Sequence, residues 1–205
     1  MTAAYDPKQP PRPPDVFDVA LLEAIAHELG HATVAFVFGI EDSTIVIPGA
    51  FTANDGKNYG NHSFVTRFPA FENVAIIDLI PADRESLALV AVAGVVTERI
   101  VAQEELLPVI KDFLNRNTFR DLKQFRLLLS GDETTATPEH FCNRAAALVR
   151  PHCAAIASAA RQVETDAIVF GQRSRWGPRG PLEPFVVRWE TARSLLIREG
   201  ATLDR

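Results

Sequence analysis

Apolar residues recur with a helical period near the start of the chain. Val19, Leu22, Ala26, Leu29, Thr33 and Phe36 fall on one face, Asp15 is placed to cap the run, and Gly39 to end it. This spacing predicts a helix from Val16 to Phe38. The period then changes. Ser43-Thr44-Ile45-Val46-Ile47 is rich in β-branched residues and stops at Pro48-Gly49; Ala53-Asn54-Asp55-Gly56 is turn chemistry; His62-Ser63-Phe64-Val65-Thr66 alternates. A small sheet or hairpin is expected there. From Asp83 onward the helical period returns, with helices expected from Arg84 to Ala102, Leu106 to Leu114, and Thr118 to Leu129, the last closed by Gly131. Thr137-Pro138-Glu139 sets a cap before a first-turn proline, and the helix it starts reaches Phe170, with a kink at Pro151. Residues Gln172 to Pro184 read as a loop, and a final helix runs from Val186 to Arg198 before Gly200. The expected fold is mainly α with a small β-hairpin or sheet, and no internal repeat is visible.

Five prolines between Pro7 and Pro14 make residues 1–14 a disordered or polyproline-like tail. Residues 15–170 form the principal domain, and 171–205 a loop plus a C-terminal helix. With 205 residues, 47% of them hydrophobic and 23% charged, the chain can bury a substantial core. A net charge of -5 and the lack of any Lys/Arg-rich run argue against nucleic acid as a partner. Leu87 to Val96, the longest apolar run, is about half of what a bilayer crossing needs, so no membrane partner is expected. Residues 1–14 hold no apolar leader segment. The two cysteines, Cys142 and Cys153, stand eleven residues apart in predicted helix, ~16 Å along its axis and too far for a disulfide. Two free thiols fit a reducing, cytoplasmic location. Oligomeric state is not legible.

The candidate chemistry lies on the first helix. His27-Glu28-Leu29-Gly30-His31 places two imidazoles four residues apart, on one face and one turn apart, so both can reach one zinc ion. Glu28, next to the first imidazole, is placed to take a proton from a water at the open coordination position and pass it to the leaving amine. The flanking Ala24-Ile25-Ala26 and Ala32-Thr33-Val34-Ala35 are small or apolar, which suits a buried site. A catalytic zinc needs a third protein ligand, and its identity sorts the families. Metzincins would carry a histidine six residues after His31, where this chain has Val37. A downstream glutamate, Glu85 or Glu98, would mark a thermolysin-like site. Asp121 would mark an aspartate-type one, and its place near the start of a predicted helix suits a carboxylate.

At these residues the chain resembles the peptidase domain of FtsH, a membrane-bound AAA-type zinc protease. Ile25-Ala26-His27-Glu28-Leu29-Gly30-His31-Ala32 looks like that family's zinc helix. Thr44-Ile45-Val46-Ile47-Pro48 followed by Gly60 is similar to its next strand. Ala91-Val92-Ala93-Gly94-Val95-Val96-Thr97-Glu98 resembles its Gly-containing helix, and Asp121-Leu122-Lys123-Gln124 its Asp-Leu segment. Ala145 to Val163 looks like its closing helix. The likeness spans roughly residues 20 to 165 and implies a helical zincin fold, with Asp121 as third zinc ligand and Glu98 beside the site as a partner orienting an imidazole. Two departures stand out. Gly94 is followed by Val95 where the family has a Gly-Arg pair, and no Walker phosphate loop (G-x-x-x-x-G-K-[ST]) occurs.

The expected function is therefore a soluble, ATP-independent zinc endopeptidase acting on peptides or unfolded protein. Glu28 is its general base, and His27, His31 and Asp121 hold Zn2+. The alternative is a catalytically inactive zinc-containing homologue that binds a peptide or protein partner; an intact Glu28 argues against it. The remaining polar residues read as ordinary ones: His62 as an exposed strand residue rather than an oxyanion donor, His140 and His152 as structural or surface residues, and Arg173, Arg175, Trp176 and Arg179 as a solvated loop.

Overall fold

A computed structural model describes residues 18–40, 44–47, 65–67, 81–102, 120–129, 137–173 and 185–203. Most of them are helical. The tail over 1–14, the helix expected from Leu106 to Leu114, His62, and Arg175, Trp176 and Arg179 lie outside the described residues.

The first helix, α1 (Asp18–Val37), is enclosed on nearly every side. From Ile25 to Phe36 every residue except His27 is buried. That explains a sequence that is apolar almost all round rather than on one stripe. Its C-terminus closes at Gly39, whose φ of 68° lies in the left-handed region, with the Ile40 amide donating back to the Ala35 carbonyl. Helix α2 (Pro81–Val101) packs along α1. Contacts between His31 and Val90 and between His27 and Glu98 show that the two helices run antiparallel.

Helix α3 (Arg120–Leu129) lies against α2 and is anchored by Phe125 and Leu128, each 1% exposed. Helix α4 (Pro138–Val149) begins as the sequence predicts: Thr137 accepts from the His140 amide and Pro138 sits in the first turn. The expected kink at Pro151 is a 3-10 turn over Arg150–His152, after which α5 (Cys153–Arg173) continues. Two helices therefore replace the single kinked one, because proline removes an amide from the ladder. Both cysteines are free.

Strands β1 (Thr44–Ile47) and β2 (Val65–Arg67) pair antiparallel, Ile45 opposite Thr66. A third strand, β3 (Phe185–Arg188), pairs antiparallel with the other edge of β1, Ile45 opposite Val187, giving the order β2-β1-β3. This corrects the sequence reading, in which a helix starts at Val186. The helix, α6 (Trp189–Arg198), starts only after the strand. Four residues of strand feed directly into it, and Val186, Trp189, Ala192 and Leu196 keep the three-to-four residue rhythm, so periodicity alone merges them.

Buried side chains of α1, β1, α2, α3, α4, α5, β3 and α6 form one hydrophobic cluster. Ile25, Leu29, Val34, Ile45, Leu89, Val92, Phe125, Leu128, Ile156 and Leu196 are its fully enclosed large members. Each contributes on the order of 1.5–3 kcal/mol of transfer free energy. The Phe36 and Trp189 rings stack at 3.3 Å between centroids, fixing α6 to the end of α1. Among the described residues no helix is long and apolar enough to cross a membrane.

Candidate metal centre

Three helices converge on one point. From α1, His27 and His31 project a turn apart, with ring centroids 4.8 Å apart and planes at 77°. From the first turn of α3, Asp121 Oδ2 lies 3.1 Å from His27 Nε2 and 3.6 Å from His31 Nε2. Asp121 shares a helix face with Phe125 and Leu128, at i+4 and i+7, so burial of those two side chains aims its carboxylate. The Phe125 ring meets Phe141 of α4 edge-on at 5.4 Å, which holds α3 in that setting.

Helix α2 supplies the other side. The Val90 carbonyl lies 2.6 Å from His31 Nδ1. A carbonyl only accepts, so Nδ1 carries the proton and the lone pair of the neutral ring is on Nε2. Glu98 Oε2 lies 3.2 Å from His27 Nδ1 and fixes that ring in the same sense. Each imidazole is thus held at Nδ1 by an acceptor on α2 and turns Nε2 toward Asp121. This is the outer support that metal-binding histidines use.

The two helices approach closely because glycine stands at both crossing points. A Cβ on Gly30 would lie 2.6 Å from Thr97 Cβ and 3.0 Å from the Ala93 carbonyl. A Cβ on Gly94 would overlap Nε2 of both His27 and His31. Thr97, wholly buried, donates to the Ala93 carbonyl at 2.7 Å and leaves no hydroxyl unpaired at the contact.

The electrostatics follow from this crowding. Burial pushes the His27 imidazole toward its neutral form, but hydrogen bonds with Asp121 and Glu98, and the charge of Glu28, outweigh that and raise it from 6.5 to about 10. His31 is likewise disfavoured by burial and raised on balance by the Asp121 carboxylate. Burial acts against ionised Asp121 too, yet the two imidazoles hold its carboxyl well below the usual carboxylate range. Without a metal, the site stabilises its carboxylate with ring protons; a cation entering has to displace them.

The donor set fits a zinc-type ion. Two imidazole nitrogens and one carboxylate oxygen are the borderline ligands zinc takes in catalytic sites. Tetrahedral bonds of about 2.0–2.1 Å put neighbouring ligand atoms ~3.3–3.4 Å apart. The separations of 3.1 and 3.6 Å from Asp121 bracket that value. Ligand atoms of His27, Glu28 and His31 also lie within 4.8 Å of one another, so Glu28, only 5% exposed, lines the same centre.

The alternatives for a third ligand separate in space. Glu85 is half exposed and ion-paired with Arg144 of α4. Glu98 faces the Nδ1 side of His27, whereas Asp121 alone of the three faces both Nε2 atoms. His140 is exposed, and His152 is buried on the 3-10 turn. Two contributors escape a motif search. The Val90 carbonyl is main chain and leaves no signature, and Gly94 is one glycine in an apolar helix. The only hint is the spacing Val90, Gly94, Glu98, which places all three on one face of α2.

No family model matches the chain, and no curated protein or solved structure matches it either.

Proposed function

We propose that the protein is a zinc endopeptidase of the FtsH peptidase type, with an aspartate-completed metal site. The observation that carries this reading is the convergence of His27 Nε2, His31 Nε2 and Asp121 Oδ2 beside a buried Glu28. A site built only for binding metal has no use for a carboxylate held next to the first ligand.

His27, His31 and Asp121 would hold the ion. Bound zinc supplies a Lewis acid that acidifies a water and polarises the scissile carbonyl. Glu28, fixed on α1 one residue from His27, accepts a proton from the attacking water. As the C–N bond breaks it delivers that proton to the departing amine nitrogen, so the products are a carboxylate and an amine. Glu98 and the Val90 carbonyl keep both Nδ1–H groups occupied, so the rings do not change tautomer during turnover. No Walker loop occurs in the 205 residues, and the cleavage proposed here is independent of ATP. Peptides and unfolded or exposed segments are the substrate class that follows.

The test is elemental analysis of the purified protein, followed by a digest of an unfolded protein library before chelation, after chelation and after zinc is restored. The expected result is one zinc per chain and cleavage that disappears and returns with the metal. Zinc at full occupancy with no cleavage in any arm would favour the partner-binding homologue, and no zinc would overturn the proposal.

A further inference from the structure

We infer that Gly94 is a positioning residue for the metal centre: its bare Cα is the surface on which the coordinating edges of both imidazoles rest. The inference deepens the zinc reading above and depends on it for its metal-binding arm. A Cβ at position 94 would collide with Nε2 of His27 and Nε2 of His31 at once. Those are the two atoms that also face Asp121, at 3.1 and 3.6 Å. The rings have nowhere to retreat along α2, because His27 Nδ1 is tied to Glu98 at 3.2 Å and His31 Nδ1 to the Val90 carbonyl at 2.6 Å, one helical turn on either side of Gly94. A side chain at 94 therefore forces a choice. The rings keep their α2 partners and clash, or they swing away and lose both the partners and the shared point with Asp121. Neither arrangement is a metal site.

Gly30 provides the contrast. It lies at the same α1–α2 crossing, but an added Cβ there meets Thr97 and the Ala93 carbonyl, not the rings. Spacing between the helices and placement of the rings are thus separate duties, assigned to different glycines. A glycine inside a helix is otherwise unfavourable relative to alanine. Gly94→Ala should therefore be the better helix former wherever the rings do not object.

The experiment has two arms on the full chain. The first measures affinity for zinc by chelator competition, and the visible spectrum of the cobalt-loaded protein, for wild type and Gly94→Ala. Zinc affinity should fall at least about tenfold, as for loss of an outer support to a metal ligand. The intense bands of tetrahedral cobalt should weaken with it. A loss smaller than tenfold with an unchanged cobalt spectrum overturns the inference. The second arm uses chelated, metal-free protein and reads the urea midpoint of Gly94→Ala in two backgrounds, wild type and His27→Ala/His31→Ala. The midpoint should drop in the first and hold or rise in the second, because the rings are what the new methyl strikes. An equal drop in both would show that Gly94 serves helix packing alone. The second arm needs no metal, so a wild type that binds no zinc sinks the zinc reading while the clash between position 94 and the rings is still measured.

Discussion

Replacing Asp121 by alanine removes the carboxylate that lies 3.1 and 3.6 Å from the two Nε2 atoms, and the size of the loss can be worked out from the site. Four-ligand structural zinc sites bind with roughly 10–16 kcal/mol, so one ligand contributes on the order of 2.5–4 kcal/mol, or two to three decades of affinity. Proton competition partly offsets this. In the metal-free protein Asp121 and Glu98 raise His27 to about 10. Below that value each pH unit costs the wild type about tenfold, ~1.4 kcal/mol, in apparent zinc affinity. Asp121→Ala withdraws the hydrogen bond and charge that raise His27, and the ring falls back toward its ordinary range. Its proton then competes less at neutral pH. Wild-type affinity should therefore climb more steeply with pH than that of the variant, and the gap between them should widen from pH 6.5 to pH 8.5. Competition against a chromophoric chelator at three pH values measures this. Glu98→Ala, which removes an outer partner, should cost only about 10–100-fold at any one pH. If Glu98→Ala proved the more damaging change, or the gap closed as pH rose, the assignment of Asp121 as ligand would be wrong.

Two further expectations concern the frame around the site. Burial holds His152 below its ordinary 6.5, and its Nδ1 has no hydrogen-bond partner among the described residues. Its folded pKa is depressed, so the stability it contributes as a neutral ring is present above pH ~6.5 and is lost as pH falls through the folded value. In chelated protein, the urea midpoint of wild type should fall from pH 7.5 to pH 5 more than that of His152→Gln; parallel slopes would contradict this. Trp189 is 7% exposed and stacked on Phe36, so Trp189→Ala should lower unfolding free energy by about 3–5 kcal/mol, and Trp189→Phe by much less. Equal losses would mean that the stack does not hold α6 on α1.

How much of this was legible from sequence depended on range. Helix α1 and the cap at Thr137 are governed by residues within a turn or two, and local chemistry reads them correctly; it also locates the interruption at Pro151, though as a kink in one helix rather than a 3-10 turn between two. The strand β3 is different: its partner β1 lies about 140 positions earlier, and its four residues carry the same rhythm as the helix that follows. The site divides in the same way. The two histidines and Glu28 are one local motif on a helix. Asp121 is drawn toward the histidines by the burial of Phe125 and Leu128 on its own helix face. Sequence favours Asp121 over Glu85 and Glu98 through its place near a helix start and the family resemblance; what separates the three in space is which side of an imidazole each faces, a property of how α2 and α3 pack. The roles of Gly94 and the Val90 carbonyl exist only once α1 and α2 lie side by side.

In the proposed site a zinc ion held by His27, His31 and Asp121 works with Glu28 as the proton carrier, and Glu28→Gln separates metal binding from proton transfer. That variant keeps the shape and hydrogen-bonding reach of the side chain but cannot accept the proton. With zinc content and cleavage of a quenched unfolded substrate measured on the same samples, the variant should show full zinc occupancy and a rate at least ~100-fold below wild type. Cleavage at the wild-type rate by the zinc-loaded variant would contradict this role for Glu28.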